Sequence, residues 1–96
     1  MNMNAEMIRV DVEIKSKGDG KLVPLKISFV DEHGQKRTFI VKRYSNVSHQ
    51  GTGVRPDGVF VTDKTVAFEC LADEKGKERR VNLYNILGVW MITMPE

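Results

Sequence analysis

The chain contains 96 residues, of which 29% are charged and 41% are hydrophobic, and its formal net charge is +2. This length suits one domain with one hydrophobic core, so we expect a single domain at 7–96 behind a disordered N-terminus at 1–6. A nearly balanced charge excludes a protein that coats nucleic acid through its total charge, but it leaves room for a local basic patch.

The first two predicted strands come from an alternation of apolar and polar residues. Every second residue is apolar in 8–15, and a period of two over this length is typical of a half-buried strand. Turn residues occupy 17–20, and the alternation resumes over 23–29, with Leu25 among the residues expected to face inward. The two segments therefore predict a hairpin. Pro24 has no amide hydrogen, so we expect the second strand to be irregular at that point.

Further strands follow at short intervals along the chain. The β-branched and aromatic residues of 37–44 predict a third strand, and the runs at 59–62 and 65–71 flank Asp63-Lys64 at a spacing that predicts a hairpin. Two more apolar segments close the chain. Six to seven short strands, with turn residues at almost every junction, indicate an all-β fold. We expect a small antiparallel meander that forms either a barrel or a sandwich.

The C-terminal strand is apolar on both of its faces. Leu87, Val89 and Met91 share one face by alternation, and Trp90 lies with Ile92 on the other. An antiparallel strand with one wet face should instead alternate apolar and polar residues. This strand is therefore either covered on both sides or offers an interaction surface, at Val89, Trp90 and Met91, to a protein partner or to a second copy in a homodimer.

The connection at 45–58 is the longest that the sequence predicts. It ends in Arg55-Pro56-Asp57-Gly58, which has the proline of a β-turn at its second position. Long loops are often functional, although an ordinary excursion between two sheets is the simpler interpretation. A catalytic interpretation would use a hydroxyl, an imidazole and a carboxylate of this loop, from Ser45, Ser48, His49 and Asp57. No recognised signature surrounds them, so we expect no enzyme.

Positive charge is concentrated in 33–56, which contains five basic residues and no acidic one. The candidate residues for nucleic acid or another polyanion are the five basic side chains and one stacking aromatic: Lys36, Arg37, Lys42, Arg43, Arg55 and Tyr44. Strict alternation would place Arg37 and Arg43 on one face and Lys42 and Tyr44 on the other, so the charges do not form one stripe. Solvated charges that discourage edge pairing explain the same residues equally well.

Other chemistry has little support in the sequence. Cys70 lies on the same face of its predicted strand as the apolar residues Val66 and Phe68, which indicates a buried thiol. Because it is the only cysteine, an intrachain disulfide is excluded. His33 and His49 are sixteen positions apart, so we predict no metal site and no cofactor. Neither a signal peptide nor a spanning segment is apparent, and we expect a cytoplasmic protein without membrane contact.

Two functional hypotheses remain open at this stage. The first is a small β-barrel binding module that holds nucleic acid or another polyanion through the basic segment 33–56. The second is a protein-protein interaction or homo-oligomeric assembly module that uses the apolar C-terminal strand.

Overall fold

The computed structural model describes residues 6–48 and 51–94, and every regular element in these ranges is a β-strand. The predicted all-β fold is therefore confirmed. The N-terminal disorder was predicted for residues 1–6, and residues 1–5 of this segment lie outside the described ranges. The strands of the described residues are β1 (Ile8–Arg9), β2 (Asp11–Ser16), β3 (Leu22–Val30), β4 (Lys36–Asn46), β5 (Gly53–Val54), β6 (Phe60–Val61), β7 (Val66–Glu74), β8 (Lys77–Ile86) and β9 (Val89–Thr93).

Seven of these strands form one antiparallel sheet in the order β1-β9-β8-β7-β4-β3-β2. The two outermost strands, β1 and β2, are consecutive in the chain and are separated only by Val10. The amide of Val10 donates a hydrogen bond to the carbonyl oxygen of Trp90 at 3.0 Å, which extends the β1–β9 pairing by one residue. The sheet therefore curls into a half-barrel, because one continuous stretch of chain lies at both of its edges.

The alternation of side chains produces the main core on the concave side of the sheet, which we call the inner face. Its largest fully buried members include Phe39, Phe68, Ile27 and Leu83. Phe29 packs edge-on against Phe39, with 5.7 Å between the ring centroids. Burial of these side chains is the main favourable contribution to folding, at about 25 cal/mol for each Å² of apolar surface removed from water.

Two β-bulges change which residues face inward. In β3, Lys26 pairs with Glu13 and Pro24 pairs with Ile14, so Leu25 has no partner on β2. The irregularity predicted at Pro24 is thus confirmed, but the inward orientation predicted for Leu25 is wrong, since its side chain is 38% exposed. The extra residue shifts the phase of the strand, and Pro24 takes the buried position.

The second bulge lies in β4 at Lys42. Val41 pairs with Ala72 and Arg43 pairs with Leu71, so Lys42 is the additional residue. Alternation therefore restarts one residue later, and Arg43 lies on the convex side of the sheet, the outer face. The prediction that Arg37 and Arg43 share a face is wrong for this reason.

The connection between β4 and β7 covers part of the outer face. Ala67 and Tyr84 are directly paired across β7 and β8, and they alternate with the core residues Phe68 and Leu83. They form a second, smaller apolar cluster with Val59 from the connection. The outer face is thus shielded from solvent where the connection covers it and exposed elsewhere.

The predicted hairpin around Asp63-Lys64 is wrong. Residues 62–65 do form a turn, in which the Thr65 amide donates to the Thr62 carbonyl at 3.1 Å. However, β6 pairs with β5 and not with β7, so the segment before the turn belongs to a separate two-stranded ribbon. The ribbon is part of the covering connection. No helix able to cross a membrane occurs among the described residues.

Leu87 lies in the two-residue turn between β8 and β9, and not in a strand as the sequence suggested. Ile86 pairs with Val89, and Leu87 and Gly88 both have positive φ, of 52° and 86°. This is the geometry of a type I′ turn, which favours asparagine or glycine at both positions. Leu87 is 97% exposed, so it gains nothing from burial to offset its unfavourable backbone conformation.

We therefore expect Leu87→Asn to raise the free energy of unfolding by about 0.5–1 kcal/mol, because asparagine tolerates positive φ. Leu87→Ala is the matched control, since it removes the same exposed apolar surface but keeps a side chain that disfavours this conformation. It should change stability by less than about 0.5 kcal/mol. Urea denaturation measures both variants, and an asparagine variant less stable than the parent would contradict the assignment.

Candidate functional site

The carboxylate of Asp57 is buried between the covering connection and the outer face of the sheet. Its Oδ2 accepts hydrogen bonds from the Tyr84 hydroxyl at 2.7 Å, from Thr93 Oγ1 at 2.5 Å and from Asn82 Nδ2 at 3.1 Å. Its Oδ1 accepts the Val59 amide at 3.1 Å. These donors come from β8, β9 and the connection itself, so one carboxylate joins all three.

The same bonds set the protonation states of the groups involved. Burial alone would raise the pKa of Asp57, but the hydrogen bonds from Thr93, Tyr84, the Val59 amide and Asn82 outweigh it, and the pKa lies below its ordinary value. Burial, followed by the hydrogen bond to Asp57, raises the pKa of Tyr84. The carboxylate is therefore ionised and the phenol is neutral at neutral pH, as the hydrogen-bond directions require.

The turn that carries Asp57 is the one predicted from the sequence. The Gly58 amide donates to the Arg55 carbonyl at 2.8 Å, and the Arg55 amide donates to the Val59 carbonyl at the same distance. The Arg55 guanidinium is engaged as well, since its Nη2 lies 2.6 Å from Glu69 Oε2. Arg55 thus holds the connection to β7, and its charge is already paired.

The side chains considered for catalysis have structural partners. Ser48 Oγ accepts the Ala67 amide at 2.8 Å and lies 3.3 Å from the Ala67 carbonyl oxygen, so this hydroxyl caps the start of β7. Asp57 serves the network described above. His49 lies outside the described residues. Burial raises the pKa of the Cys70 thiol to about 12, which keeps it protonated.

Arg37, another of the predicted basic residues, belongs to the inner face. Its Nε and Nη2 donate to the two carboxylate oxygens of Glu74 at 2.7 and 2.6 Å. Its guanidinium also lies over the rings of Phe29 and Phe39, at 5.5 and 5.3 Å from their centroids. The guanidinium covers one end of the core. Because it is paired with Glu74 and stacked on two rings, it is not available to a ligand.

A trough of about 550 Å³ lies on the outer face beside the turn of Asp57. Its floor crosses three strands, where Leu71 of β7 pairs with Arg43 of β4 on one side and with Arg80 of β8 on the other. Directly paired residues share a face, so the two arginines flank Leu71 at about 10 Å from each other, twice the usual strand spacing. Pro56 forms part of the opposite wall.

The charges of the trough are unequally matched. Glu69 and Asp57 also line it, but Glu69 is paired with Arg55 and Asp57 is surrounded by its donors. Arg43 and Arg80 are exposed, and neither has an ion pair within the ranges that the structure describes. The trough therefore presents two exposed arginines without an ion-pair partner, beside the buried negative charge of Asp57.

The remaining predicted residues are partly brought to this site. Lys42 is exposed at the bulge next to Arg43, and Lys36 is exposed at the start of β4. Tyr44 pairs with Cys70 and so lies on the inner face, where its ring packs edge-on against Phe68 at 5.8 Å. Of the predicted residues, Arg43 and Tyr44 line the trough, Lys42 follows Val41 at the bulge beside Arg43, and Lys36 lies apart from the trough.

Arg80 is the site residue that sequence reasoning missed. It lies outside 33–56, in the stretch 73–80, where three acidic residues stand among four basic ones, so this stretch is not free of acidic side chains as 33–56 is. The sequence feature that could have identified it is the alternation of side chains along its strand. Arg80 precedes the apolar residue Val81, so it must face away from the core.

The predicted interaction surface on the C-terminal strand is only partly open. β9 is paired along one edge with β8 and along the other with β1. Val89, Trp90 and Met91 are half-buried, and Trp90 packs against the main core. An assembly role for these residues stays a prediction.

Comparison with protein-family models, with curated proteins and with solved structures finds no significant match to this chain.

We expect Asp57→Asn to lower the free energy of unfolding by about 2–4 kcal/mol, because the amide keeps the shape but loses charge-assisted bonds from three donors. Asp11→Asn is the matched control on the exposed face of β2 and should cost less than about 0.5 kcal/mol. Urea denaturation at pH 7 measures both. Equal effects of the two substitutions would show that Asp57 does not hold the connection.

Asp57 also links stability to pH. A carboxyl whose folded pKa is depressed stabilises the fold above its unfolded pKa of about 3.9, and this contribution is lost as pH falls through the folded pKa. Glu74, through its bond from Arg37, has a pKa shifted in the same direction. We expect stability to fall as the pH drops below about 4, and the Asp57→Asn variant to show a shallower fall over the same range. Parallel curves for variant and parent would contradict this assignment.

Proposed function

We propose that this protein is a non-catalytic binding module that holds an acidic chain, that is, a polyanion, along the trough on its outer face. The observation that carries the proposal is the pair of exposed, unpaired arginines, Arg43 and Arg80, on either side of Leu71. Lys42, which is exposed at the bulge directly before Arg43, adds a third positive charge close to this pair.

The proposal is supported by the difference between arginines that form ion pairs and arginines that do not. Arg37 and Arg55 each lie within 2.6 Å of a carboxylate oxygen and contribute to the fold. Arg43 and Arg80 have no such partner among the described residues, although β7 and β8 contain several acidic side chains. An unpaired arginine is suited to phosphate or carboxylate because its planar group donates two parallel hydrogen bonds.

The shape of the trough favours a chain over a small compact ligand. It is open and shallow, crosses three strands, and has an apolar floor at Leu71 between two charged sides. Enclosed, mostly apolar pockets are typical of small-molecule sites, and this surface is different. Binding would rest on charge, and its affinity should therefore depend strongly on salt.

A labelled single-stranded oligonucleotide is a suitable first probe of polyanion binding. If Lys42, Arg43 and Arg80 each contact one phosphate, the log-log salt slope should be about −2, which is roughly a 20-fold loss of affinity between 50 and 200 mM salt. Arg43→Gln with Arg80→Gln should reduce the slope to about −0.7. Fluorescence anisotropy measures both values.

The matched control removes two positive charges from elsewhere on the surface. Lys17→Gln with Lys21→Gln changes the net charge equally, and neither residue lines the trough. This variant should keep the slope of the parent. Equal weakening by the two double variants would assign binding to net charge alone, and absence of binding to both oligonucleotide and polyglutamate at 50 mM salt would overturn the proposal.

A further inference from the structure

Strand β4 has one edge without a partner strand over its second half. β3 pairs with β4 only as far as Lys26 and Ile40, and beyond the bulge at Leu25 it is paired with β2 alone. β4 continues to Asn46 and is paired over this part with β7 alone. Within the described residues, no strand lies along the other edge of Lys42–Asn46.

The backbone groups that this edge presents follow from one hydrogen bond. The Val47 amide, one residue beyond the Asn46–Phe68 pair, donates to the Ala67 carbonyl at 2.9 Å and so points toward β7. The direction of the backbone groups alternates along a strand, so Arg43 and Ser45 also direct their backbone groups toward β7. Tyr44 and Asn46 therefore direct their amide and carbonyl groups away from β7, at the free edge.

The side chains beside this edge differ between the two faces. On the outer face Arg43 is exposed and unpaired, with Lys42 beside it at the bulge. On the inner face Tyr44 packs edge-on against Phe68, yet 38% of its surface remains exposed. Glu69, the acidic residue opposite Ser45, is paired with Arg55. The edge thus has basic side chains on the outer face and the partly exposed ring of Tyr44 on the inner face.

We propose that the free edge of β4 binds an extended acidic segment of another protein by strand addition. The backbone of the segment would pair with Tyr44 and Asn46, its acidic side chains would face Arg43 and Lys42, and its apolar side chains would cover Tyr44. This inference rests on the proposed function, since it names the acidic chain that the trough and its rim hold.

Charge complementarity is the reason for an acidic segment and not any other strand. Natural proteins protect free strand edges from unwanted pairing with β-bulges and with charged side chains. This edge has both, because Lys42 is the bulge residue and Lys42 and Arg43 are positively charged. These devices repel a second copy of the same basic edge and disfavour neutral strands. An alternating acidic strand is the partner for which the same charges are attractive.

The test uses the isotope-labelled chain of 96 residues and three probes. The first is an eight-residue peptide that alternates glutamate with valine or threonine. The second has the same composition with its glutamates in one block, and the third is a ten-nucleotide oligothymidine. Water exchange of individual backbone amides is measured by NMR with and without each probe. Arg43 and Ser45, whose amides already bond to β7, serve as internal references.

The alternating peptide should slow exchange of the Tyr44 and Asn46 amides about tenfold at 90% saturation, because only the free protein then exchanges. The block peptide should bind at least about tenfold more weakly, since alternate residues of a strand face opposite sides. Arg43→Glu should abolish peptide binding, and Lys17→Glu, the matched charge reversal in a distant turn, should leave it unchanged.

Each contrary result has a separate meaning. Peptide binding without slower exchange at Tyr44 and Asn46 would overturn strand addition and leave side-chain binding in the trough. Binding of oligothymidine without binding of the peptide would overturn the acidic-segment inference and retain the proposed function. Failure of all three probes and of polyglutamate at low salt would overturn both.

Discussion

The buried carboxylate of Asp57 is the interaction on which the outer side of this molecule depends. Tyr84, Asn82 and Thr93 are polar residues of β8 and β9 that face the covering connection, and each donates to the same oxygen. Without this acceptor, the buried hydroxyls of Tyr84 and Thr93 would lose the carboxylate to which they donate, which is costly. A two-stranded ribbon such as β5–β6 is also only marginally stable alone, so it needs this attachment to the sheet.

The attachment has consequences for binding. Because Asp57 fixes the turn at 55–58, Pro56 forms a wall beside the strands and Arg55 reaches Glu69. Glu69, which also lines the trough, is paired with Arg55, so it is not the ion-pair partner of Arg43 or Arg80. A structural carboxylate therefore sets the electrostatics of a neighbouring surface without contacting a ligand there.

The sequence predicts which segments form strands better than it predicts which face of the sheet each side chain occupies. Alternation in 8–15, the turn at Arg55-Pro56-Asp57-Gly58 and the disturbance at Pro24 all follow from local chemistry. A single inserted residue reverses every later side chain in a strand, and the bulge at Lys42 has no local sequence signal that distinguishes it from a regular position. The predicted face of Arg43 was wrong for that reason.

The candidate site was accessible from the sequence only in part. Lys42 and Arg43 were identified by charge, but the ion pairs of Arg37 and Arg55 involve partners 37 and 14 residues away, which no local pattern indicates. Asp57 looked like an ordinary turn residue because its three side-chain donors lie on distant strands. Arg80 was missed because its position depends on the pairing of β7 with both β4 and β8.

The hydroxyl proton of Tyr84 reports most directly on the central interaction. A phenol that donates to a buried carboxylate should give a proton resonance in slow exchange with water, with nuclear Overhauser contacts to the side chain of Thr93 and to the Val59 amide. We predict that this resonance is observed at neutral pH. A Tyr84 hydroxyl in fast exchange with water, without those contacts, would contradict the account.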